Sequence, residues 1–273
     1  MSQKDITEKM LFTYNDVFAD VVNALLFKGE QVIAEEELVD QAPRAAYKAD
    51  GVIRDIERDV AKRWLKNNIR IACIGIENQT EPDQDMAIRV FSYDSAEYRA
   101  QLLKENRRNP RYPVVTLVLY FGYKKHWSDI KINLYEIAFL EDEQLEYFHS
   151  DFRVVADYFS QMRKNNKYVP STETLKHVEA VLQLLSVMTQ DTRFEDVLKW
   201  EKGPEGGVQN MCEVLDRVEA IGMEKGEIKG AIRIYREEMN LSPDEIVRKL
   251  VTKFTLDEKE AWEYVNTAMG VQQ

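Results

Sequence analysis

The sequence predicts an α/β chain whose core runs helix, strands, helix, strand and is followed by a helical C-terminal region. Three observations predict it. Apolar residues between Phe12 and Phe27 recur at helical spacing, and the pattern from Val52 to Ile76 changes to that of strands. Val114 to Gly122 is a continuous apolar run of the kind that fills a strand covered on both faces. At 273 residues, with 44% hydrophobic and 31% charged residues, the chain can bury a sizeable core and is not compositionally disordered.

In chain order, the first helix carries apolar residues at 12, 17, 18, 21, 22, 25 and 26 and stops at Gly29. The acidic stretch from Gln31 to Asp50, with Pro43, reads as a loop with a short helical turn. From Val52 the alternation of Ile56, Val60 and Trp64 marks a strand, and a polar turn at Lys66-Asn67-Asn68 leads into the buried run Ile69 to Ile76. This is a β-hairpin. A helix from Asp85 to Glu105 follows, with Met86, Val90, Tyr93 and Tyr98 on one face, and then the strand 114–122. Tyr123 to Leu140 reads as a loop with room for one strand, and helices are expected at Asp151 to Lys164 and Thr172 to Thr189.

A Gly-Pro-Glu-Gly-Gly linker at 203–207 is the clearest boundary signal. The expected organisation is therefore a core over 1–140, a helical extension over 141–202 and a C-terminal helical region over 203–273. That last region holds a long helix, Met211 to Met239, then two short helices opened by the capping boxes Ser242-Pro-Asp-Glu245 and Thr255-Leu-Asp-Glu258. The short helices should pack as a hairpin. Gly222, Gly226 and Gly230 recur at a spacing that suits close helix packing, local flexibility or a dimer contact.

Cys73 and Cys212 are too few for a disulfide framework or a zinc knuckle, which fits a reducing cytoplasm. No run approaches the roughly 18 apolar residues that span a bilayer, and the N-terminus carries no secretory signal, so no membrane partner is expected. The net charge of −11 disfavours nucleic acid as a partner. Its distribution reverses that locally. From Arg54 to Lys125, 14 Lys and Arg stand against 10 Asp and Glu, an excess of four positive charges. The surplus acid lies elsewhere, as in Glu35-Glu36-Glu37 and Glu141-Asp142-Glu143, which read as solvated surface.

The chemistry-bearing residues are Ile76-Glu77-Asn78-Gln79-Thr80, at the end of a buried strand. An ionisable group there needs pairing, coordination or water. Alternation puts Glu77 and Gln79 on one face, about 7 Å apart along the strand. The neighbouring strand offers Asp59. If paired residues sum to 134, Asp59 stands opposite Gly75 on the face of Glu77; a two-residue turn at Asn67-Asn68 shifts the sum by one and turns it away, unless a bulge restores it. With both carboxylates on one face and the Asn78 carbonyl nearby, the donors are all oxygen, as a hard cation such as Mg²⁺ prefers. The structural alternative is an exposed Glu beside an unrelated Asp.

Asp59, Ile76-Glu77-Asn78-Gln79-Thr80, Met86, Arg89, Tyr93-Asp94, Tyr98 and the strand Pro113 to Gly122 with Trp127 together resemble the Rpn family, the recombination-promoting nucleases also labelled transposases. The resemblance extends to the helix Asp16-Val-Phe-Ala-Asp20-Val-Val-Asn23 and to the glycine-spaced tail, so it covers nearly the whole chain. It implies a PD-(D/E)XK, restriction-endonuclease-like core in the order helix, three strands, helix, strand, and metal-dependent endonucleolytic cleavage of DNA linked to recombination, for which the oxygen donors above point to Mg²⁺. It implies Asp59, Glu77 and Gln79 as the site, with Asp59 and Glu77 on the metal, where the carbonyl of Asn78 noted above is the further oxygen donor. Gln79 takes the position of the superfamily's lysine and cannot supply its charge.

The rival from another class is a degenerate scaffold that binds DNA or protein without cutting. For a transposase proper, which joins strands, a separate acidic triad is expected, and none is found. Asp20 reads as a solvated helix face or a further acidic group, and Arg89 as a phosphate contact or an ion pair with Asp85. His126, His149 and His177 lack metal-ligand spacing and read as structural, and Tyr112, Tyr120, Phe121 and Tyr123 as core. The acidic terminal helices suit self-assembly into a homo-oligomer better than a DNA groove.

Overall fold

The apolar run at Ile69 becomes the central strand of a five-stranded mixed sheet in the computed structural model, which describes residues 9–41, 44–49, 52–67, 69–103, 109–127, 132–200 and 208–269. Among these the strands are β1 (Leu38–Asp40), β2 (Arg44–Ala49), β3 (Val52–Glu57), β4 (Val60–Lys66), β5 (Ile69–Gln79), β6 (Val114–Tyr120) and β7 (Asn133–Glu136). The main sheet has the order β1-β4-β5-β6-β7, and β2 and β3 form a separate antiparallel pair. β1 and β5 run antiparallel to β4, whereas β6 and β7 run parallel to β5. A parallel step needs a crossover, and α2 (Met86–Ala100) lies within the one that joins β5 to β6. Residues 72–78 of β5 are all buried, as expected of a strand covered on both faces.

Several boundaries differ from the sequence reading. The expected loop at 31–50 contains a 3₁₀ turn at Glu35–Glu37 and the strands β1 and β2. β1 is three residues long and offers too little alternation to read. The strand expected from Val52 to Trp64 breaks at Arg58 and Asp59, so that β3 and β4 enter different sheets. The helix expected from Thr172 begins instead at Val178, because the Asp151 carboxylate captures the backbone N–H groups of Lys176 (3.0 Å) and His177 (2.5 Å). A further helix, Arg193–Trp200, follows. The glycine linker at 203–207 lies outside the described residues.

One face of the sheet is covered by α1 (Asn15–Phe27), by α4 (Phe152–Asn165), which follows the short α3 (Asp142–Leu145), and by the aromatic group of Phe12, Phe121, Phe148, Phe152 and Phe159. Directly opposed residues of an antiparallel pair share a face, and Lys62 opposes Ile74. Lys62 is fully buried and reaches toward α1. Its ammonium donates to Thr13 O (2.7 Å), Asn15 Oδ1 (2.8 Å) and Asp40 Oδ1 (2.5 Å), and sits 5.6 Å from the Phe18 ring centroid. All of its protons have acceptors, which makes the burial tolerable. The start of α1, β1 and β4 are thereby tied at one point. Asp20, on α1, is neither solvated nor part of an acidic site: it is 6% exposed and accepts from the backbone N–H groups of His149 (2.8 Å) and Ser150 (2.7 Å), just before α4.

The chain divides into two compact units, Met1–Cys212 and Glu213–Gln273. α5 (Val178–Thr189) and α6 (Arg193–Trp200) belong to the first, and α7 (Met211–Glu237) continues into the second. There α8 (Pro243–Phe254) and α9 (Glu258–Met269) pack with α7 around Ile228, Ile232, Ile246, Leu250 and Val265. The Ser242 box forms, with Ser242 and Glu245 exchanging hydrogen bonds. The second box is displaced. Thr255 is the left-handed cap that ends α8 (φ 56°), and Asp257 and Glu260 make the reciprocal pair that opens α9. A Cβ added at Gly222, Gly226 or Gly230 would meet nothing within 4 Å among the described residues, so no close helix approach occurs there. Among the described residues no helix is long and apolar enough to cross a membrane.

Removing the Lys62 side chain deletes three hydrogen bonds and opens a cavity. Lys62→Ala is expected to lower the unfolding free energy by roughly 2–4 kcal/mol, and Lys62→Met by about half of that, in denaturant titrations. Equal loss in both variants would mean that the charge, not the volume, decides.

Candidate active site

Register decides which side chains can meet. Lys66 pairs with Ile69, so the hairpin turn is indeed two residues long and begins with an odd pairing sum. A bulge between Trp64 and Leu65 then shifts the pairing to Trp64 with Ala72, and it continues evenly to Val60 with Ile76. Extended by one residue, the even register sets Asp59 across from Glu77, not from Gly75 as the sequence reading had it. The two carboxyl groups therefore lie on the same face.

Each is held by the other's strand. The Asp59 N–H donates to Glu77 Oε1 (3.3 Å), and the Asn78 N–H donates to Asp59 Oδ2 (2.8 Å). Odd residues of β5 direct their backbone groups to β6, as Cys73 N to Pro113 O and Phe121 N to Gln79 O show, so those of Asn78 face the β4 edge. The regular ladder has ended there, and the Asn78 amide meets a carboxylate in place of a carbonyl. Gln79 is half-buried at the strand's exposed end, on the face of Glu77 and beside Tyr120 of β6.

Two cations flank the pair. Arg89, on the first turns of α2, donates from Nη2 to Glu77 Oε2 (3.2 Å) and from Nη1 to Asp83 Oδ2 (2.9 Å). Its partners are therefore Glu77 and Asp83; Asp85 instead gives its backbone N–H to Asp83 (2.8 Å), which fastens the helix start. Lys9 Nζ lies 3.6 Å from Asp59 Oδ1. The sequence reading missed Lys9, since a contact fifty positions away in the chain leaves no local signature.

Arg58 is a further residue that was missed, and here a signal existed. It is 4% exposed, pairs with Asp94 (3.1 Å), and crosses the sheet where Gly75 has no side chain: a Cβ on Gly75 would lie 2.8 Å from Arg58 Cδ. Asp94 in turn accepts from Thr116 Oγ1 (2.7 Å). A glycine inside a buried strand marks such a close approach. Asp59 follows Arg58 directly, so this buried ion pair fixes the point where the chain leaves β3 and enters β4.

Glu77 is 1% exposed. Burial, and then the charge on Asp59, push its carboxyl up to about 8, against the opposing pull of Arg89, the Asp59 N–H and Lys9. Asp59 is also raised, by burial, against the Asn78 N–H and the charges of Lys9 and Arg89. The two cations beside the pair do not offset the effect of its burial. Among the described residues no three His, Cys, Asp or Glu come together, so a metal here would complete its shell with backbone carbonyl and water. Mg²⁺ commonly binds in that way, through one or two carboxylates. The donor set fits a hard divalent ion.

Other reactive groups are engaged elsewhere. Burial pushes the Cys73 thiol up to about 11, which keeps it neutral. His177 stacks on Tyr14 (3.7 Å) and pairs with Asp16, and His126 pairs with Glu136. Tyr112, Tyr120 and Phe121 are buried. No family model matches the chain, and no curated protein and no solved structure matches it.

A carboxyl whose folded value lies above its unfolded value makes the folded chain bind protons more tightly. Its contribution to stability is complete below the ordinary carboxylate range and is lost as pH rises toward about 8. Unfolding free energy should therefore fall by about 1 kcal/mol or more between pH 5 and pH 8 without divalent ions, and Glu77→Gln should flatten that slope. Denaturant titrations across this range check it; a slope untouched by the substitution would assign the pH dependence to other groups.

Proposed function

We propose that the first unit is a restriction-endonuclease-like, Mg²⁺-dependent DNA endonuclease, as the resemblance to the Rpn family implies, with Asp59 and Glu77 as its metal ligands. What carries this is the carboxylate pair: one acid on β5 and one in the bend that opens β4, Glu77 oriented by the Asp59 N–H and Asp59 by the Asn78 N–H, on a face too dry to hold two negative charges unaided. The backbone of Asn78 faces the same edge and offers its carbonyl as a third oxygen donor. Bound there, Mg²⁺ would polarise the phosphodiester and lower the pKa of water.

The side chains divide the remaining work. Glu77 stands on β5, and Asp59, in the bend just before β4, is fixed to it by the hydrogen bonds that each carboxylate accepts from the other's side, so the pair is positioned without loop motion. Gln79, neutral and next on the same face, can orient a water or a phosphate oxygen through its amide. Arg89 is 39% exposed and can spare part of its planar donor fork for a phosphate. In the hydrolysis the water oxygen bonds to phosphorus as one ester P–O bond breaks. One water proton ends on the departing deoxyribose oxygen, leaving a hydroxyl and a phosphate monoester.

Neutral Gln79 also supports the rival reading, a scaffold that binds DNA and leaves it intact. Purified protein is expected to nick supercoiled plasmid with Mg²⁺ and to stop in excess chelator. Glu77→Ala and Asp59→Ala should each reduce nicking at least ~100-fold. Plasmid left whole but retarded in a gel would favour the scaffold.

A further inference from the structure

The four carboxylate oxygens of the acidic pair have partners of two kinds. Glu77 Oε1 and Asp59 Oδ2 accept from backbone N–H groups, which cannot leave without dismantling the strand. Glu77 Oε2 and Asp59 Oδ1 face the side-chain cations Arg89 (3.2 Å) and Lys9 (3.6 Å). Only the second kind can be exchanged. A divalent ion entering the site therefore meets Asp59 Oδ1 and Glu77 Oε2 as the oxygens it can take.

The two cations are not equivalent. Arg89 is also held by Asp83 and lies within hydrogen-bonding distance of the Tyr93 hydroxyl, so its position is fixed from several sides. Lys9 presents a compact charge on a flexible four-carbon stem. Its backbone end is anchored, because the 3₁₀ turn that follows, Met10–Thr13, buries Leu11 and Phe12 completely. An anchored base with a rotatable ammonium is suited to serving two positions a few ångströms apart.

We propose that Lys9 is a substrate-facing residue of this site: its ammonium holds Asp59 Oδ1 in the metal-free protein and turns to a phosphate oxygen of the DNA backbone when a divalent ion takes that oxygen. The proposal rests on the nuclease reading above. Charge counting supports it. Two carboxylates balance one divalent ion, so the charge of Lys9 is no longer required at Asp59, and Gln79 brings no positive charge from the strand itself. Lys9 is thus both a competitor of the metal and a supplier of the positive charge absent at position 79.

The test uses full-length Lys9→Met and Lys9→Arg beside wild type and Glu77→Ala, with two readouts. Calorimetric titration of Mg²⁺ into DNA-free protein should show Lys9→Met binding about threefold or more tighter, because a competing cation is gone. Plasmid nicking at saturating Mg²⁺ should fall about tenfold or more in Lys9→Met and recover in part in Lys9→Arg. Unchanged nicking at saturating Mg²⁺ overturns the substrate role, whatever the binding does. Unchanged or weaker Mg²⁺ binding overturns the exchange. A wild type that neither binds Mg²⁺ nor nicks overturns the nuclease reading and the role of Lys9 with it, whereas an active wild type matched by Lys9→Met overturns Lys9 alone. Should Lys9→Met fail to fold in a melting curve, Lys9→Gln carries the same readouts.

Discussion

A single inserted residue in β5 decides what the sheet can do. A hairpin that closes on a two-residue turn would set position 59 against an even-numbered neighbour and send its carboxylate to the helix-packed face beside Phe18. The bulge between Trp64 and Leu65 cancels that offset, and from there to Val60 every residue of β4 keeps the parity that brings Asp59 to Glu77. The Arg58–Asp94 pair then holds the exit of β3 at the gap left by Gly75, so the register is pinned at both ends of β4.

The two faces of this sheet treat buried charge in opposite ways. On the α1 side, Lys62 is sealed, and three oxygen acceptors satisfy it permanently. On the α2 side, Glu77 and Asp59 are left with partners that solvent can still reach, Arg89 at 39% and Lys9 at 16% exposure. The first arrangement contributes stability and specifies one packing. The second lowers stability at neutral pH, because burial disfavours the charged form of both acids.

Much of this arrangement is legible in the residues. The buried run at Ile69, the crossover helix and the strand at Val114 follow from periodicity, and Glu77 stands out through the cost of burying it, whereas the face of Asp59 depends on the bulge. What could not be read depends on contacts between distant positions. Nothing near Lys9 points to Asp59, nothing near Asp20 points to the amides of His149 and Ser150, and the Asp151 carboxylate that delays α5 lies 25 residues before Lys176. The Thr255 box fails for a local reason: Thr255 takes the left-handed conformation that ends one helix, so Asp257 has to open the next. A bulge leaves no composition signal at all, which is why the pairing sum was open between parities.

The N-terminal arm owes its position to side chains from much later in the chain. Phe12 rests on Phe152, Tyr14 stacks on His177, and Asp16 binds both His177 and Lys176. During synthesis these partners emerge from the ribosome some 140 to 160 residues after the arm they seat. An unfinished polypeptide therefore carries both acids and the Lys62 tie to Thr13 and Asn15, yet lacks the later contacts of Phe12, Tyr14 and Asp16, and the arm is fully seated only when translation is well past the midpoint.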